Sequence, residues 1–403
     1  MLVLVINNGS TSSRFSLIDV DKGYELATGG SEGIGTSSSY FKYKKDNVCD
    51  KRINKYIKNF DEALILMFKY LTDEEYGVIT SIKEIDAIGH RVVHGGEKYT
   101  QATLIDKSVI QHITDLIKIA PLHNAISVNC IYKCKEMFPQ IDNIAVFDTS
   151  FHSTIPKENF IYPIPKELYE KYKIRKYGFH GISYNYVLER YSTIIKKEKD
   201  TINTVICHLG GGSSICAIKN GKSFDTTMEY TPLTGLTMVT RSGSIDPSVI
   251  PIIMDIYNIS ANEAIELLNT KSGYFALAND KDMKSIVERS LANDRDAIFL
   301  RKIINNDFKK YLMSMMANLG TVDSIIMTGG IGAKNKEQRE MLLSGLNFFG
   351  IDLDIEKNKE VFNCESIISS ETSKIPIYVI PTNEEKEIAK QCKKVIEKGK
   401  KYE

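Results

Sequence analysis

Three short segments rich in glycine and hydroxyl side chains follow apolar runs in this chain. They are Asn7 to Arg14, His208 to Ser214 and Met327 to Gly332. Backbone N–H groups and hydroxyls at a tight turn can bind phosphate oxygens, and Arg14 could neutralise their charge. A polar hairpin turn is the alternative for each of the first two, but together they favour phosphate binding. The third has the order of strand, glycine turn and helix in which a nucleotide lies against a helix N-terminus, although it is neither a P-loop nor a complete dinucleotide fingerprint.

Two arginines lie in glycine-containing loops from opposite halves of the chain. Arg91 is in the segment Gly89 to Gly96, and Arg241 is in the segment Thr240 to Pro247. Guanidinium groups can stabilise the negative charge on the equatorial oxygens of a phosphoryl group during its transfer. An ordinary loop salt bridge is the alternative for either arginine taken alone. Because both lie beside glycine turns, the pattern favours phosphoryl transfer.

Carboxylates follow two of the predicted strands, where ligands of α/β sheets usually lie. Asp148 comes directly after the apolar run Asn143 to Phe147, and Glu384 and Glu385 follow Asn383. Such carboxylates suit Mg²⁺, which takes only one or two protein ligands. Helix capping by Asn383, with the two glutamates in the first helical turn, is the alternative.

The elements that position these residues are predicted from hydrophobic patterning, and they alternate between strand and helix as in α/β proteins. The predicted strands are Leu2 to Ile6, Phe15 to Asp19, Ile85 to Gly89, Asn143 to Phe147, Thr204 to His208, Ser214 to Lys219, Ser324 to Thr328 and Ile377 to Ile380. The predicted helices are Phe60 to Leu71, Ser108 to Ile119, Tyr184 to Glu198, Ala261 to Asn269, Leu300 to Leu319 and Asn383 to Glu397. A weak repeat relates Leu4 to Ile18 with Val205 to Ile218, since each is strand, turn and strand. We therefore predict two related α/β domains that face each other across a cleft, with a boundary near residue 150.

Composition limits the class of protein. The chain has 403 residues, with 52 basic against 51 acidic side chains, so it lacks the field that drives non-specific binding to nucleic acid. No apolar run reaches the roughly 18 residues that a membrane span needs, and the N-terminus lacks the features of a signal peptide. Seven scattered cysteines favour reduced thiols over a disulfide framework. These features favour a cytoplasmic protein without nucleic-acid or membrane partners.

Several collinear motifs resemble those of the acetate kinase family of acyl kinases, and the resemblance covers nearly the whole chain. The motifs are Val5 to Ser10, Gly89 to Gly96, Ala120 to Asn124, Phe147 to His152, Tyr177 to Gly181, Cys207 to Gly210, Thr240 to Pro247 and Ile380 to Glu385. The resemblance implies the fold of sugar kinases, Hsp70 and actin, in which two duplicated ribonuclease H-like α/β domains flank a nucleotide cleft. It implies an N-terminal domain of residues 1–150 joined by the C-terminal helix 386–403, a nucleotide-binding domain of residues 151–385, and a homodimer.

The resemblance also implies site roles and substrates. ATP or ADP and acetate would be the substrates, with Mg²⁺, or Mn²⁺ as the alternative, as the metal. The implied catalytic residues are Arg91, Asp148, His180 and Arg241, and the implied metal ligands are Asn7 and Glu384. The acyl pocket would consist of Arg91, Val93, Leu122, Phe179 and Pro232. The implied nucleotide and phosphate contacts are Asn7, Ser10, Ser12, Arg14, His208, Gly210, Gly211, Gly212, Asp282, Lys284, Gly330, Ile331 and Gly332.

The implied reaction needs no general base, because a carboxylate with a pKa of about 4 to 5 is already ionised at neutral pH. The bulk of Val93 would favour acetate over propionate by about 1 to 2 kcal/mol per methylene. The chain departs from the family pattern on its nucleotide side, at Arg14, Gly211, Val239 and Lys284, among others. Two alternatives therefore stay open: an acyl kinase with another donor, such as pyrophosphate, or another small carboxylate, and a catalytically impaired nucleotide-binding regulator.

Overall fold

The computed structural model describes residues 1–9, 11–45 and 49–399. It divides the chain into two compact units, one of Met1–Ser150 together with the segment from Asn383 onward, and one of Phe151–Thr382. The second crossing between the units thus lies before Asn383, whereas the sequence analysis places it after residue 385.

Strands and helices alternate along the described chain. The strands are β1 (Leu2–Asn8), β2 (Ser12–Asp19), β3 (Tyr24–Glu32), β4 (Tyr40–Lys45), β5 (Cys49–Asn54), β6 (Ala87–Val92), β7 (Thr103–Leu104), β8 (Asp142–Phe147), β9 (Thr204–Leu209), β10 (Ser213–Lys219), β11 (Lys222–Thr226), β12 (Ser324–Thr328), β13 (Ser366–Ile367) and β14 (Ile377–Val379). The α-helices are α1 (Phe60–Leu71), α2 (Lys107–Asp115), α3 (Pro121–Met137), α4 (Lys157–Phe160), α5 (Lys166–Tyr172), α6 (Gly181–Ile195), α7 (Val249–Tyr257), α8 (Ala261–Thr270), α9 (Gly273–Ala278), α10 (Met283–Leu291), α11 (Arg295–Leu319), α12 (Gly329–Lys334), α13 (Lys336–Leu343), α14 (Ile355–Glu360) and α15 (Glu384–Gly399).

The two units share the order of six strands, and the first unit adds β4 and β5 at one edge. The first unit has a sheet in the order β5-β4-β3-β2-β1-β6-β8-β7, and the second has β11-β10-β9-β12-β14-β13. In each sheet a central strand, β1 or β9, pairs antiparallel with the strand that follows it in the chain and parallel with the next strand on its other side. Because this order recurs in both halves, the prediction of a duplicated α/β fold is confirmed.

Helix α15 returns to the first unit and covers the parallel strands there. A β-carbon at Gly89 of β6 would lie 2.7 Å from Cys392 Sγ and 2.8 Å from Ile388 Cγ2, so the helix packs on a strand position that has no side chain. Asn383 caps this helix, since its side chain accepts a hydrogen bond from the backbone N–H of Lys386 at 2.8 Å. The capping alternative is therefore correct for Asn383, and the cap fixes where Glu384 stands.

Apolar side chains from α11 fill much of the core of the second unit. Leu300, Ile304, Phe308, Leu312 and Met315 are buried against the sheet, and their spacing of three to four residues places them on one face of the helix. Among the described residues, no helix combines the length and the apolar character needed to cross a bilayer.

Candidate active site

Three polar side chains of the first unit converge around the guanidinium of Arg91. Arg91 lies on β6, Asn7 lies near the end of β1, and Asp148 follows β8, so three neighbouring strands supply them at one sheet edge. Arg91 Nη2 donates to Asp148 Oδ2 at 2.5 Å, and Arg91 Nη1 donates to Asn7 Oδ1 at 3.2 Å. Glu384, the first residue of α15, places Oε2 3.7 Å from Arg91 Nε. The structure thus brings together four of the predicted site residues.

Burial and charge oppose each other in this cluster. Burial disfavours the charged form of Arg91, but the carboxylates of Asp148 and Glu384 outweigh it, and the pKa of Arg91 is raised. Burial raises the pKa of Glu384 to about 7, and the nearby charges of Asp148 and Glu385 add to the effect, while Arg91 opposes it. A cation bound beside Glu384 would oppose this shift and favour its charged form.

The oxygen atoms of this cluster fit a hard divalent cation. Asp148 is 1% exposed, and its Oδ1 is buried without a hydrogen-bond partner in the described structure. A buried carboxylate oxygen without a donor is costly unless something else satisfies it. Within the described residues no group of three or more His, Cys, Asp or Glu side chains could hold a metal. Mg²⁺ usually takes only one or two carboxylates and keeps several waters, so Asp148 and Glu384 match its requirements.

The turn between β1 and β2 is shorter than the sequence analysis predicts. Asn7 belongs to β1 and pairs directly with Arg14 of β2, since β1 extends to Asn8 and β2 begins at Ser12. Gly9 N donates to Ser12 O at 2.8 Å and closes this turn. The guanidinium of Arg14 is 65% exposed and forms an ion pair with Glu32 at 3.1 Å. Ser10, predicted to contact phosphate, lies outside the described residues.

In the second unit, Arg241 and His180 converge on Gly212. A β-carbon at Gly212 would lie 3.3 Å from both Arg241 Nη1 and His180 Nε2. Arg241 Nη1 also donates a hydrogen bond to the backbone oxygen of Pro232 at 3.1 Å, which restrains the guanidinium. Two groups that can donate to an anion thus meet at a position that has no side chain of its own.

His180 is held in a conformation that few residues adopt. It has a left-handed backbone with φ of 60°, directly before α6. The preceding residue, Phe179, accepts a hydrogen bond through its carbonyl from Nε2 of the buried His152 at 2.8 Å, and the Nδ1 of that ring lies 2.8 Å from Ser223 Oγ. The imidazole of His180 stacks on that of His208, with ring centroids 4.2 Å apart. Backbone strain held by buried contacts is typical of functional sites.

The glycines between β9 and β10 are not explained by backbone conformation. None of the three, Gly210, Gly211 and Gly212, has a positive φ. A β-carbon at Gly211 would meet nothing within 4 Å, and one at Gly210 would lie 3.9 Å from Gly330 N. The two glycine turns of this unit are therefore neighbours, and they present bare backbone, as a phosphate-binding surface requires.

Comparison with known proteins identifies the family. A model of the acetokinase family matches residues 2–390. The chain belongs to the acetokinase family. It is 46% identical over 399 residues to the acetate kinase of Thermoanaerobacterium thermosaccharolyticum, covering 98% of this chain and 99% of the relative. The predictions of the family and of a kinase that phosphorylates a carboxyl group are confirmed.

Solved structures of acetokinase-family members have the same fold. The acetate kinase of Porphyromonas gingivalis is 35% identical, with a TM-score of 0.90 over 98% of this chain and 99% of that one. A propionate kinase from Francisella tularensis is 36% identical, with a TM-score of 0.91 over 97% of this chain and 98% of that one. The similar structures thus include kinases named for two different acyl groups.

The predicted acyl-pocket residues of this acetokinase are distributed over both units. Val93, directly after β6, is 5% exposed in the first unit, and Phe179 is 2% exposed in the second. Pro232 is partly buried and holds Arg241 through its carbonyl. The side chain of Leu122 lies outside what the structure describes.

Two predicted nucleotide contacts lie on the surface. Asp282 is exposed and caps α10 by accepting a hydrogen bond from the backbone N–H of Lys284 at 3.0 Å. The side chain of Lys284 is 77% exposed and stands 3.9 Å from Glu288. Ile331 and Gly332 lie in the short helix α12, and Ile331 packs against the core. A nucleotide role for these residues stays a prediction.

Sequence reasoning missed the buried polar residues that position the site. Asn124 is fully buried, accepts a hydrogen bond from His94 N at 3.2 Å and donates to His94 O at 3.2 Å, and so fixes the chain next to Val93. Ser214 contacts His180, and Tyr184 contacts Ser214. Asn124 does lie in the motif Ala120 to Asn124, so that motif was the available signal. Ser214 ends the segment His208 to Ser214, which the sequence analysis assigns to phosphate binding and not to the orientation of His180, and no local pattern marked Tyr184.

Proposed function

We propose that this acetokinase transfers the terminal phosphoryl group of ATP to acetate, reversibly, through the two residue clusters described above. The observation that carries the proposal is Arg91, partly buried and held by Asp148, Glu384 and Asn7 at the edge of the first sheet. An arginine held on several sides keeps a fixed direction, which suits it to orient an anionic acceptor or an oxygen of the transferring group.

The second unit supplies donors for the phosphoryl oxygens. Arg241 Nη1 and His180 Nε2 lie at equal distance from the empty side-chain position of Gly212. Charge that develops on the phosphoryl oxygens would be stabilised by such fixed donors, at no cost of reorganisation. The bare turns at Gly211 and Gly330 would bind the remaining phosphates of the nucleotide through backbone N–H groups.

Mg²⁺ would be held by Glu384 and the unpartnered Oδ1 of Asp148, with Asn7 beside them. When bound there, it supplies neutralisation of the phosphate charge. The ion pair with Arg91 holds Asp148 through Oδ2 and would leave its other oxygen, Oδ1, for the ion. Asp148 therefore orients, and removes no proton, because the acetate is already ionised at neutral pH.

The test is a hydroxylamine trap of acetyl phosphate with purified protein, Mg²⁺ and acetate, run in parallel with ATP, GTP and pyrophosphate, and with propionate in place of acetate. We expect the highest rate with ATP and acetate. Turnover with pyrophosphate alone would mean that the departures from the family pattern on the nucleotide side belong to a site for another phosphoryl donor. Binding of nucleotide without any turnover would favour the regulator instead.

The loss of activity in Arg91→Lys links the reaction to this site. Lysine keeps the charge but cannot contact Asp148 and Asn7 together, so we expect kcat to fall by about 100-fold or more. Arg52→Lys, an exposed arginine on β5, is the matched control and is expected to leave kcat unchanged. Equal rates for the two variants would contradict the assignment of Arg91.

We further propose that two copies of the chain associate through α7. This helix has the sequence VIPIIMDIY, and none of its residues is buried. Ile252 is 55% exposed and Ile256 is 72% exposed, which is unusual for a run of apolar residues. Ile252→Lys is expected to shift the mass measured by light scattering from dimer to monomer, whereas Phe348→Lys, at a still more exposed apolar position elsewhere, is not. A monomeric wild-type protein would refute this proposal.

A further inference from the structure

A chain of buried hydroxyl groups ends on the imidazole of His180. The phenol oxygen of Tyr184 lies 2.5 Å from Ser214 Oγ, and Ser214 Oγ lies 2.8 Å from His180 Nδ1. Tyr184 and Ser214 are both 0% exposed. We propose that Tyr184 and Ser214 are positioning residues that keep the proton of the neutral His180 ring on Nε2, so that this atom donates to the phosphoryl group. The consequence for catalysis rests on the proposed function, whereas the position of the proton does not.

The direction of the hydrogen bonds from Tyr184 through Ser214 to His180 follows from counting the available protons. Tyr184 has one hydroxyl proton, and within the described residues its phenol bonds only to Ser214. If Tyr184 donates to Ser214, then the serine proton is available for His180 Nδ1, and every buried group is satisfied. In the reverse direction His180 donates to Ser214 and Ser214 donates to Tyr184, which leaves the phenol proton buried without an acceptor. An unsatisfied buried donor costs about 1 to 3 kcal/mol, so the first direction is favoured.

Burial keeps Tyr184 in the role of donor. It raises the pKa of the Tyr184 phenol well above its ordinary value, so the hydroxyl stays protonated. Because His180 Nδ1 then accepts from Ser214, the proton of the neutral ring must be on Nε2. This nitrogen lies 3.3 Å from the position of a β-carbon at Gly212, which Arg241 Nη1 approaches equally closely. The relay therefore directs an N–H bond toward the place where an anion would be bound.

The histidine stacked on His180 has the opposite arrangement. His208 Nδ1 lies 2.8 Å from Ser183 Oγ, and Ser183 donates its own proton to Thr382 Oγ1 at 2.9 Å. Ser183 therefore accepts from His208, whose Nδ1 must carry a proton. The two rings, 4.2 Å apart, are thus expected to be opposite tautomers, each set by its own serine.

Nitrogen-15 spectra of the selectively histidine-labelled full-length protein test this directly. We expect His180 to be protonated at Nε2 and His208 at Nδ1 near neutral pH, with signals assigned from the variants His180→Gln and His208→Gln. Since both tautomers are read from one wild-type sample, no variant other than the assignment variants has to fold for the test. A wild-type His180 protonated at Nδ1 would overturn the proposal, whether or not the protein proves active.

Kinetics of two variants then test the positioning role. Ser214→Ala removes the donor to Nδ1, so we expect His180 to become a mixture of tautomers and kcat to fall about 10-fold or more, with KM for acetate changed less than about two-fold. Tyr184→Phe leaves a Ser214 hydroxyl that can either donate to His180 Nδ1 or accept from it, so a smaller fall in kcat is expected. Tyr191→Phe, which removes another buried phenol from α6, is the control and should leave the His180 signal and kcat unchanged. A Ser214→Ala protein with the wild-type tautomer would overturn the relay, whereas wild-type tautomers without phosphoryl transfer in any variant would overturn only the proposed function.

Discussion

Gly212→Ala tests whether Arg241 and His180 act together on one group. The added methyl carbon would lie 3.3 Å from a nitrogen of each, closer than such carbons usually approach their neighbours. Both side chains must then move by a few tenths of an ångström. Since a displacement of 1 Å at a reacting centre can cost about 100-fold in rate, a shift of this size in two donors should lower kcat by about 10-fold. Gly212 is not in the left-handed region, so alanine imposes no backbone strain.

The neighbouring position supplies a matched control. A β-carbon at Gly211 meets nothing within 4 Å, so Gly211→Ala adds the same methyl group one residue away without touching either donor. The substitution also keeps the backbone N–H that is proposed to bind phosphate, and kcat is measured at saturating ATP. Acetyl phosphate formation and the thermal unfolding midpoint are measured for both variants. We expect equal midpoints and a lower kcat for Gly212→Ala alone. The reasoning is refuted if Gly212→Ala retains the wild-type kcat, or if Gly211→Ala loses as much.

Three further predictions concern the first cluster, the acyl pocket and acid stability. Asp148→Asn keeps the side-chain volume but removes the charge beside Arg91, so kcat should fall about 100-fold or more, whereas Asp142→Asn at the exposed start of β8 should not change it. Val93→Ala should raise kcat/KM for propionate relative to acetate by about 5- to 30-fold, the value of one methylene, and an unchanged ratio would exclude Val93 from the pocket. Burial lowers the pKa of His152 to about 4, below the value near 6.5 in the unfolded chain. The neutral, buried imidazole therefore makes its full contribution to folding stability above about pH 6.5, and this contribution is lost as the pH falls toward 4. The free energy of unfolding from urea titrations should therefore decrease by up to about 1.4 kcal/mol per pH unit in that window, and this part of the slope should be absent in His152→Gln.

The sequence predicted the central strands well because they are buried on both faces. β1, β9 and β12 are continuous apolar runs that end at polar or glycine residues, and such runs have few other structures available. The antiparallel strands β4 and β5 were missed. They contain many lysines and polar residues, and only pairing with β3 and with each other makes them strands. Tertiary context, which no local pattern contains, determines elements of this kind.

The candidate site shows the same limit at the level of side chains. Arg91 and Asp148 could be selected because strand ends in α/β sheets collect ligand-binding residues, and the parallel pairing of β6 with β8 brings the two together. The partnership of Ser214 with Tyr184 joins residues that are 30 positions apart. Serine and tyrosine are too common in buried positions for their types to mark such a pair. A site's charged groups are thus more predictable than the neutral groups that orient them.

Gly211 and Lys284, two of the departures from the family pattern, lie where side-chain identity matters least. Gly211 faces open space, and Val239 meets the glycine turn through its backbone, since Val239 N donates to Gly211 O at 3.3 Å. Lys284 is an exposed residue beside Glu288. By contrast, the residues that touch Arg91 and Arg241 are buried or partly buried and fixed by hydrogen bonds. A regulator without catalytic function would have no need of two arginines held in this way, and its substitutions would be expected at the arginines themselves. The distribution of change over the structure therefore favours an active kinase whose nucleotide side has varied where the backbone makes the contacts.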